Sequence, residues 1–259
     1  MTYYQEFEGI VLFQLPHREK DALVKIFTKE HGKMMFFLKN LQQNNHPLKA
    51  ASVPFSKAVF LGHISDQGLS FLKDSRDLVH CTSVFEDIYK NAYATYMMHL
   101  ADAAIEDRIK SVALYQLLDE SLFALQKTDC PQLVVHYFEI KMLAFFGLKM
   151  NWEHCAFCQQ TKGAFDFSIP QQSIICSRHF DEDPYRMQMS PKALHIARQL
   201  AFIKSPRQLG QVHLHSETLA DLKRLMDEIY EEYVGIHLKS KKYIEQMIDW
   251  EKKLTQIKK

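Results

Sequence analysis

Between residues 155 and 179 the chain carries Cys155, Cys158, Cys176 and His179 in a C-x2-C-x17-C-x2-H pattern, a tight constraint on the folds open to it. Each close pair can grip one ion from a tight turn, the two turns must meet across the loop, and three thiolates with one imidazole suit a tetrahedral Zn²⁺. Four protein ligands leave no coordination position for water or substrate, so the expected role is a structural staple. The intervening Gly163 to Pro170 alternates apolar residues with turn formers, as the hairpin of a zinc ribbon does. His154 neighbours Cys155 and offers a second imidazole, so spacing leaves open whether His179 or His154 is the fourth ligand.

The remaining thiols, Cys81 and Cys130, fit a reducing compartment better than a disulfide framework. With 259 residues, 47% of them hydrophobic and 24% charged, the composition is that of a globular chain with a sizeable core. Neither a signal-peptide pattern nor a long uncharged apolar run is present, which predicts a cytoplasmic protein with no membrane partner. The net charge of +1 hides a segregation. From His17 to Lys49 seven Lys or Arg face three acids, and from Val234 to Lys259 seven again face three. Residues 79 to 150 carry nine acids against six bases, and 151 to 185 five against two. Two basic segments flanking an acidic centre allow a polyanion to bind at chosen faces.

Residues 1–78 read as β structure. Phe7, Ile10, Leu12 and Leu15 begin a strand pattern, and Leu23 to Thr28 continues it. The turn at His31 and Gly32 leads into Lys33 to Lys39, and two further strands follow over Val53 to Leu61 and Leu69 to Leu72. About five short strands in so few residues predict a small closed barrel, and its basic strand face and polar loop are compatible with an oligonucleotide-binding fold. Phe36 and Phe37 are neighbours on one strand, so one should face the core and the other outward, where it can stack a base.

After Asp77 the period changes to three and four. Val84, Ile88, Ala92, Thr95, Met98, Ala101 and Ile105 predict one long helix, with Ser83 as cap and Glu86 as its capping-box partner. Helices are expected from about Ser111 to Gln126, Pro131 to Phe146, Pro191 to Phe202, Ser216 to Tyr233 and Lys239 onward, the last with Lys252, Lys253, Lys258 and Lys259 near its end. The aromatic stripe of Tyr89, Tyr93, Tyr96, Phe138, Phe145 and Phe146 reads as core rather than as a stacking platform. The expected class is α+β: a barrel over 1–78, a helical domain over 79–150 and 186–259, and a zinc ribbon over 151–185 inserted into it.

The order of these features resembles the RecO family of bacterial recombination and repair proteins, over essentially the whole chain. The resemblance is carried by Glu8-Gly-Ile-Val-Leu12, Thr28-Lys-Glu-His-Gly-Lys33, Phe146-Gly147 ahead of Cys155-x-x-Cys158, Phe165-Asp-Phe167 and Tyr233-Val-Gly-Ile-His-Leu-Lys-Ser240. It implies an N-terminal OB-fold barrel, a helical body and an embedded zinc ribbon. It also implies a mediator rather than an enzyme: a protein that binds ssDNA and dsDNA, anneals complementary strands, engages the C-terminal tail of single-strand-binding protein (SSB), and acts with RecR to help RecA load on coated strands in the bacterial cytoplasm. Two departures stand out. Many relatives have a Cys where this chain has His179, and the loop that is often Arg-rich in relatives is Asn40-Leu-Gln-Gln-Asn-Asn-His46 here. Lys33, Lys39, Lys49, Lys239, Lys241 and Lys242 therefore become the candidates for gripping DNA phosphates.

Two rival classes compete with this reading. A zinc hydrolase or nucleobase deaminase would need more than H-x-E at His17 and His215, because the P-C-x-x-C half of the deaminase signature is missing. No phosphate-binding G-x-x-x-x-G-K-[ST], dinucleotide G-x-G-x-x-G or nucleophile-elbow G-x-S-x-G is present. An RNA-binding or protein-interaction scaffold with a structural zinc is the alternative that the same barrel and ribbon would serve.

Overall fold

A computed structural model describes residues 4–209 and 212–257. Its contacts divide the chain into two compact units, Met1–Gln126 with Ser240–Lys259, and Lys127–Lys239. This partition differs from the division by sequence, since residues 79–126 and the last helix group with the barrel.

In the first unit five strands, β1 (Gln5–His17), β2 (Asp21–Thr28), β3 (Gly32–Leu38), β4 (Lys57–His63) and β5 (Ser70–Val79), close into a barrel in the order β1-β2-β3-β5-β4. This is an OB-type barrel. Strand alternation sends Phe7, Val11, Val24, Ile26, Met34, Phe36 and Phe60 inward, and all are essentially inaccessible to water. Phe7 stacks on Phe36 and Phe60 with ring centroids 5.5 and 6.0 Å apart. The polar loop after β3 also contributes, because Leu41 and Leu48 turn back into the same core. Closure is uneven around the circumference. β1 and β2 pair over nearly their full length, whereas the parallel β3–β5 seam pairs Phe36 with Ser70 and Phe37 with Phe71.

Helices α1 (Thr82–Glu86), α2 (Ile88–Ala104), α3 (Val112–Lys127) and, at the chain end, α7 (Lys239–Ile257) complete this unit. The single long helix expected from Val84 is broken. Asp87 takes an extended conformation and its carboxylate accepts from the Tyr89 and Lys90 N–H groups at 2.8 and 3.1 Å, capping α2. Ser83 caps nothing; its hydroxyl donates to the Gln126 carbonyl. An Asp one residue ahead of the apolar run competes for the free N–H groups better than a Ser placed four residues earlier.

In the second unit α4 (Pro131–Met142), α5 (Pro191–Phe202) and α6 (Ser216–Ile229) pack as a helical body that carries the hairpin β6 (Phe165–Ser168) and β7 (Ser173–Cys176). Pro131 and Pro191 sit in first turns, Ser190 caps α5, and Gly147 ends the turn after α4 at a left-handed φ of 78°. The hairpin is tied in by hydrogen bonds. Asp166 accepts from the N–H groups of Phe167, Gln188 and Met189, Tyr233 Oη donates to the Ile169 carbonyl at 2.6 Å, and Trp152 packs 4.8 Å from Phe167. Of the aromatic stripe, Tyr93, Tyr96 and Phe138 are buried, and Tyr89, Phe145 and Phe146 are half-buried.

Candidate metal centre and basic surfaces

The Cys155–Cys158 turn precedes the hairpin, and β7 delivers Cys176 into the turn that carries His179. The four ligand atoms all lie within 4.8 Å of one another. Cys158 Sγ and Cys176 Sγ are 3.7 Å apart, Cys155 Sγ and His179 Nδ1 3.6 Å, and Cys176 Sγ and His179 Nδ1 3.3 Å. A tetrahedron of three sulfurs at about 2.3 Å and one nitrogen at about 2.0 Å from the metal has edges of roughly 3.5–3.8 Å, within a few tenths of an ångström of these distances. The donor set therefore fits a tetrahedral metal ion.

The surroundings favour the anion at Cys155 and Cys176; at Cys158 the Gln160 N–H lowers the thiol, but burial and the two neighbouring thiols outweigh it and push the group up. The Cys176 N–H points at Cys155 Sγ at 3.3 Å, and the Arg178 guanidinium reaches Cys158 Sγ at 3.4 Å, which offsets the negative charge that three thiolates bring. Burial pushes the Cys176 thiol up, but His179, the Arg178 backbone N–H and the neighbouring thiols outweigh it and bring the group down to about 6. Cys155 is likewise raised by burial and lowered further by N–H groups from Cys176, Cys158 and Phe157. The two imidazoles differ in position: His179 belongs to the cluster, whereas His154 Nδ1 lies 3.2 Å from the Asn151 amide.

The lysine candidates separate into different environments. Lys33 is corrected: it is 1% exposed, its Nζ donates to the Asp102 carbonyl and pairs with the Asp102 carboxylate at 3.0 Å, so it presents no charge to a polyanion. Lys25 joins the same cluster, 3.0 Å from Asp102 and 2.7 Å from Asp107. Burial raises the Asp102 carboxyl, and the two lysines beside it outweigh that and hold it below the ordinary range. Lys57 is held by Asp119 at 2.7 Å and Glu8 at 3.2 Å. Lys39 and Lys49 are exposed at the two ends of the polar loop, Lys49 reaching Asn44. On α7, Lys239 and Lys242 are exposed, while Lys241 lies over the Tyr96 ring at 5.6 Å. Lys258 and Lys259 lie outside the described residues. Sequence reading missed Asp102 and Asp107, whose sequence signal is weak: two acids spaced by five residues near a helix end.

Two family models match the chain, the recombination protein O N-terminal model over residues 1–78 and the C-terminal model over residues 85–242. The chain belongs to the RecO family. Among curated RecO relatives, the DNA repair protein RecO of Enterococcus faecalis is 40% identical over 96% of this chain and 95% of its own length. That of Lactococcus lactis subsp. cremoris is 39% identical over 95% and 96%, and that of Pediococcus pentosaceus 35% over 95% and 97%. The barrel coincides with the N-terminal RecO model, and the metal cluster falls inside the C-terminal one. Membership gives this chain a role in DNA repair and recombination. Among the described residues, no helix is long and apolar enough to cross a membrane.

Proposed function

We propose that this RecO chain is a non-enzymatic cytoplasmic mediator that binds single- and double-stranded DNA, anneals complementary strands and, with RecR, helps RecA load on SSB-coated strands. The observation that carries this reading is an OB-type barrel, with exposed Lys39 and Lys49 at its polar loop, in a chain matched nearly end to end by RecO relatives. Annealing requires that two polyanions be brought together with their repulsion screened and their bases free. Lysines that grip phosphates supply this without breaking a bond, and such contacts are sequence-independent and salt-sensitive. The metal in this reading is zinc, held by Cys155, Cys158, Cys176 and His179; it closes the ribbon and leaves no open position for chemistry.

The SSB tail, an acidic peptide with an apolar tip, is assigned to a cavity of about 620 Å³ in the second unit, walled by Leu133, Ile196, Leu200, Phe202, Ile203 and Leu209. Lys204 and Arg207 stand exposed on the segment that forms one wall and supply the basic rim. Fluorescence-monitored annealing of complementary oligonucleotides across a salt series, with zinc content assayed alongside, tests the central claim. Salt-sensitive acceleration by protein holding one zinc per chain is expected. Absence of both binding and annealing at low salt would favour the interaction-scaffold alternative.

A further inference from the structure

The barrel's outer surface is used in two ways. One part is covered by helices, where Lys25, Phe27 and Lys33 meet Asp102, Asp107 and Tyr115. Another part carries a duplicated sequence. Phe37-Leu38-Lys39 on β3 and Phe71-Leu72-Lys73 on β5 are the same tripeptide, and the strands run parallel with Phe37 opposite Phe71. Leu38 lies in the core and Leu72 packs against it, so both phenylalanines point outward. Their rings meet edge to face at 6.1 Å, and Phe71 is 47% exposed. Leu23 pairs with Phe37 and Leu15 with Leu23, which extends the apolar row over β1, β2, β3 and β5, and His63 continues it onto β4 opposite Phe71.

Cations border this row. Lys39 and Lys73 are exposed two residues beyond their rings, and Lys73 Nζ lies 5.0 Å over the exposed Tyr4 ring. The β1–β2 turn with exposed Arg18 and Lys20 is fastened beside Lys39, since Asn40 N–H donates to Asp21 and Gln42 N–H to the Lys20 carbonyl. Glu19 and Asp66 in the flanking turns and Asp74 beside Lys73 on β5 are exposed acids, three against the four bases. The loop entering β5 is held by the Arg108 guanidinium, which donates to the Ser65 and Gly68 carbonyls. A monomer gains nothing in solubility by exposing rings in a row, and a ring with a cation beside it matches one nucleotide, base on ring and phosphate on ammonium.

We propose that Phe37 and Phe71, with Lys39 and Lys73, form a two-base stacking platform that distinguishes single-stranded from duplex nucleic acid. The inference rests on the reading that this chain binds single-stranded DNA. Bases in a duplex stack on each other and have no free face to offer, so the platform adds affinity for unpaired strands alone.

The test uses the full-length protein with a 2-aminopurine-labelled single strand and a duplex of equal length. Phe71→Ala should weaken single-strand binding about tenfold and leave duplex binding within about twofold, while Phe71→Tyr retains the wild-type preference. Phe71→Leu keeps the apolar fill and loses the stacking face, so it serves if alanine lowers the melting temperature. The joint change Lys39→Gln with Lys73→Gln should reduce the single-strand log–log salt slope by about 1.4. Equal losses on both substrates, or no loss on either, overturn the platform while leaving DNA binding intact. A wild-type protein that binds no single strand overturns the platform together with the reading on which it rests.

Discussion

The barrel and the ribbon are both small β structures, and they are held together by different means. The barrel has five strands around an apolar interior from Phe7 to Phe60 and needs no ligand to close it. The ribbon has two strands of four residues each, which bury their side chains but cannot enclose a core of their own. Its closure falls to the sulfur cluster and to contacts with its surroundings, such as Trp152 on Phe167. The difference teaches that a hairpin below the size of an independent core can be specified by four ligand residues, whereas a barrel must be specified by alternation along every strand.

The largest expected effect sharpens that contrast. Chelation of the proposed zinc, or Cys176→Ser, should expose the amides of Phe165–Cys176 to rapid hydrogen exchange and leave the barrel strands protected; equal loss of protection in both would break the comparison. Next, Phe60→Ala should cost about 3–5 kcal/mol in urea denaturation followed by a barrel probe, with metal content unchanged. Asp102→Asn should cost about 1.5–3 kcal/mol, because Lys33 stays buried and keeps Asp107 as its remaining anion at 3.6 Å. Replacing Lys33 and Asp102 together by Met and Leu should recover most of that loss.

The smallest effect is a pH window. Asp102 is held low, so its contribution is complete above the ordinary aspartate value of about 3.9 and is lost as pH falls through the folded value. Burial lowers Lys25, but Asp107 and Asp102 outweigh it and hold Lys25 high, so its contribution is complete below about 10.4 and is lost as pH rises through the folded value. Melting temperature against pH should fall at both ends, and Asp102→Asn should flatten the acid limb.

The clustering of Cys155, Cys158 and Cys176 with a histidine could be read from the sequence because its spacing is local and its chemistry narrow, while the choice of histidine was left open by spacing. The barrel could be read for a related reason, since short apolar strand runs bounded by turn residues recur, with clean period-two alternation along β4 and at the ends of β2 and β3. Lys33 could not, because a lysine is buried only when it has a partner, and Asp102 lies 69 residues away. The break at Asp87 was hidden by a second local cap, and the loop at Asn40–His46 looked like a polar spacer while its Leu41 and the following Leu48 plug the barrel. The return of α7 rests on contacts such as His99 with Ser240 at 3.1 Å, across 141 residues, which no local pattern announces.

The short parallel seam between β3 and β5 makes the barrel a cylinder with one weak stave joint. Opening there breaks few backbone hydrogen bonds, so this joint, rather than the longer β1–β2 or β4–β5 pairing, is where the closed ring is expected to open first. A ligand that spans both strands while the joint is shut binds the closed form alone, and its free concentration relative to its dissociation constant then sets how rarely the ring opens. Occupancy and closure become one equilibrium.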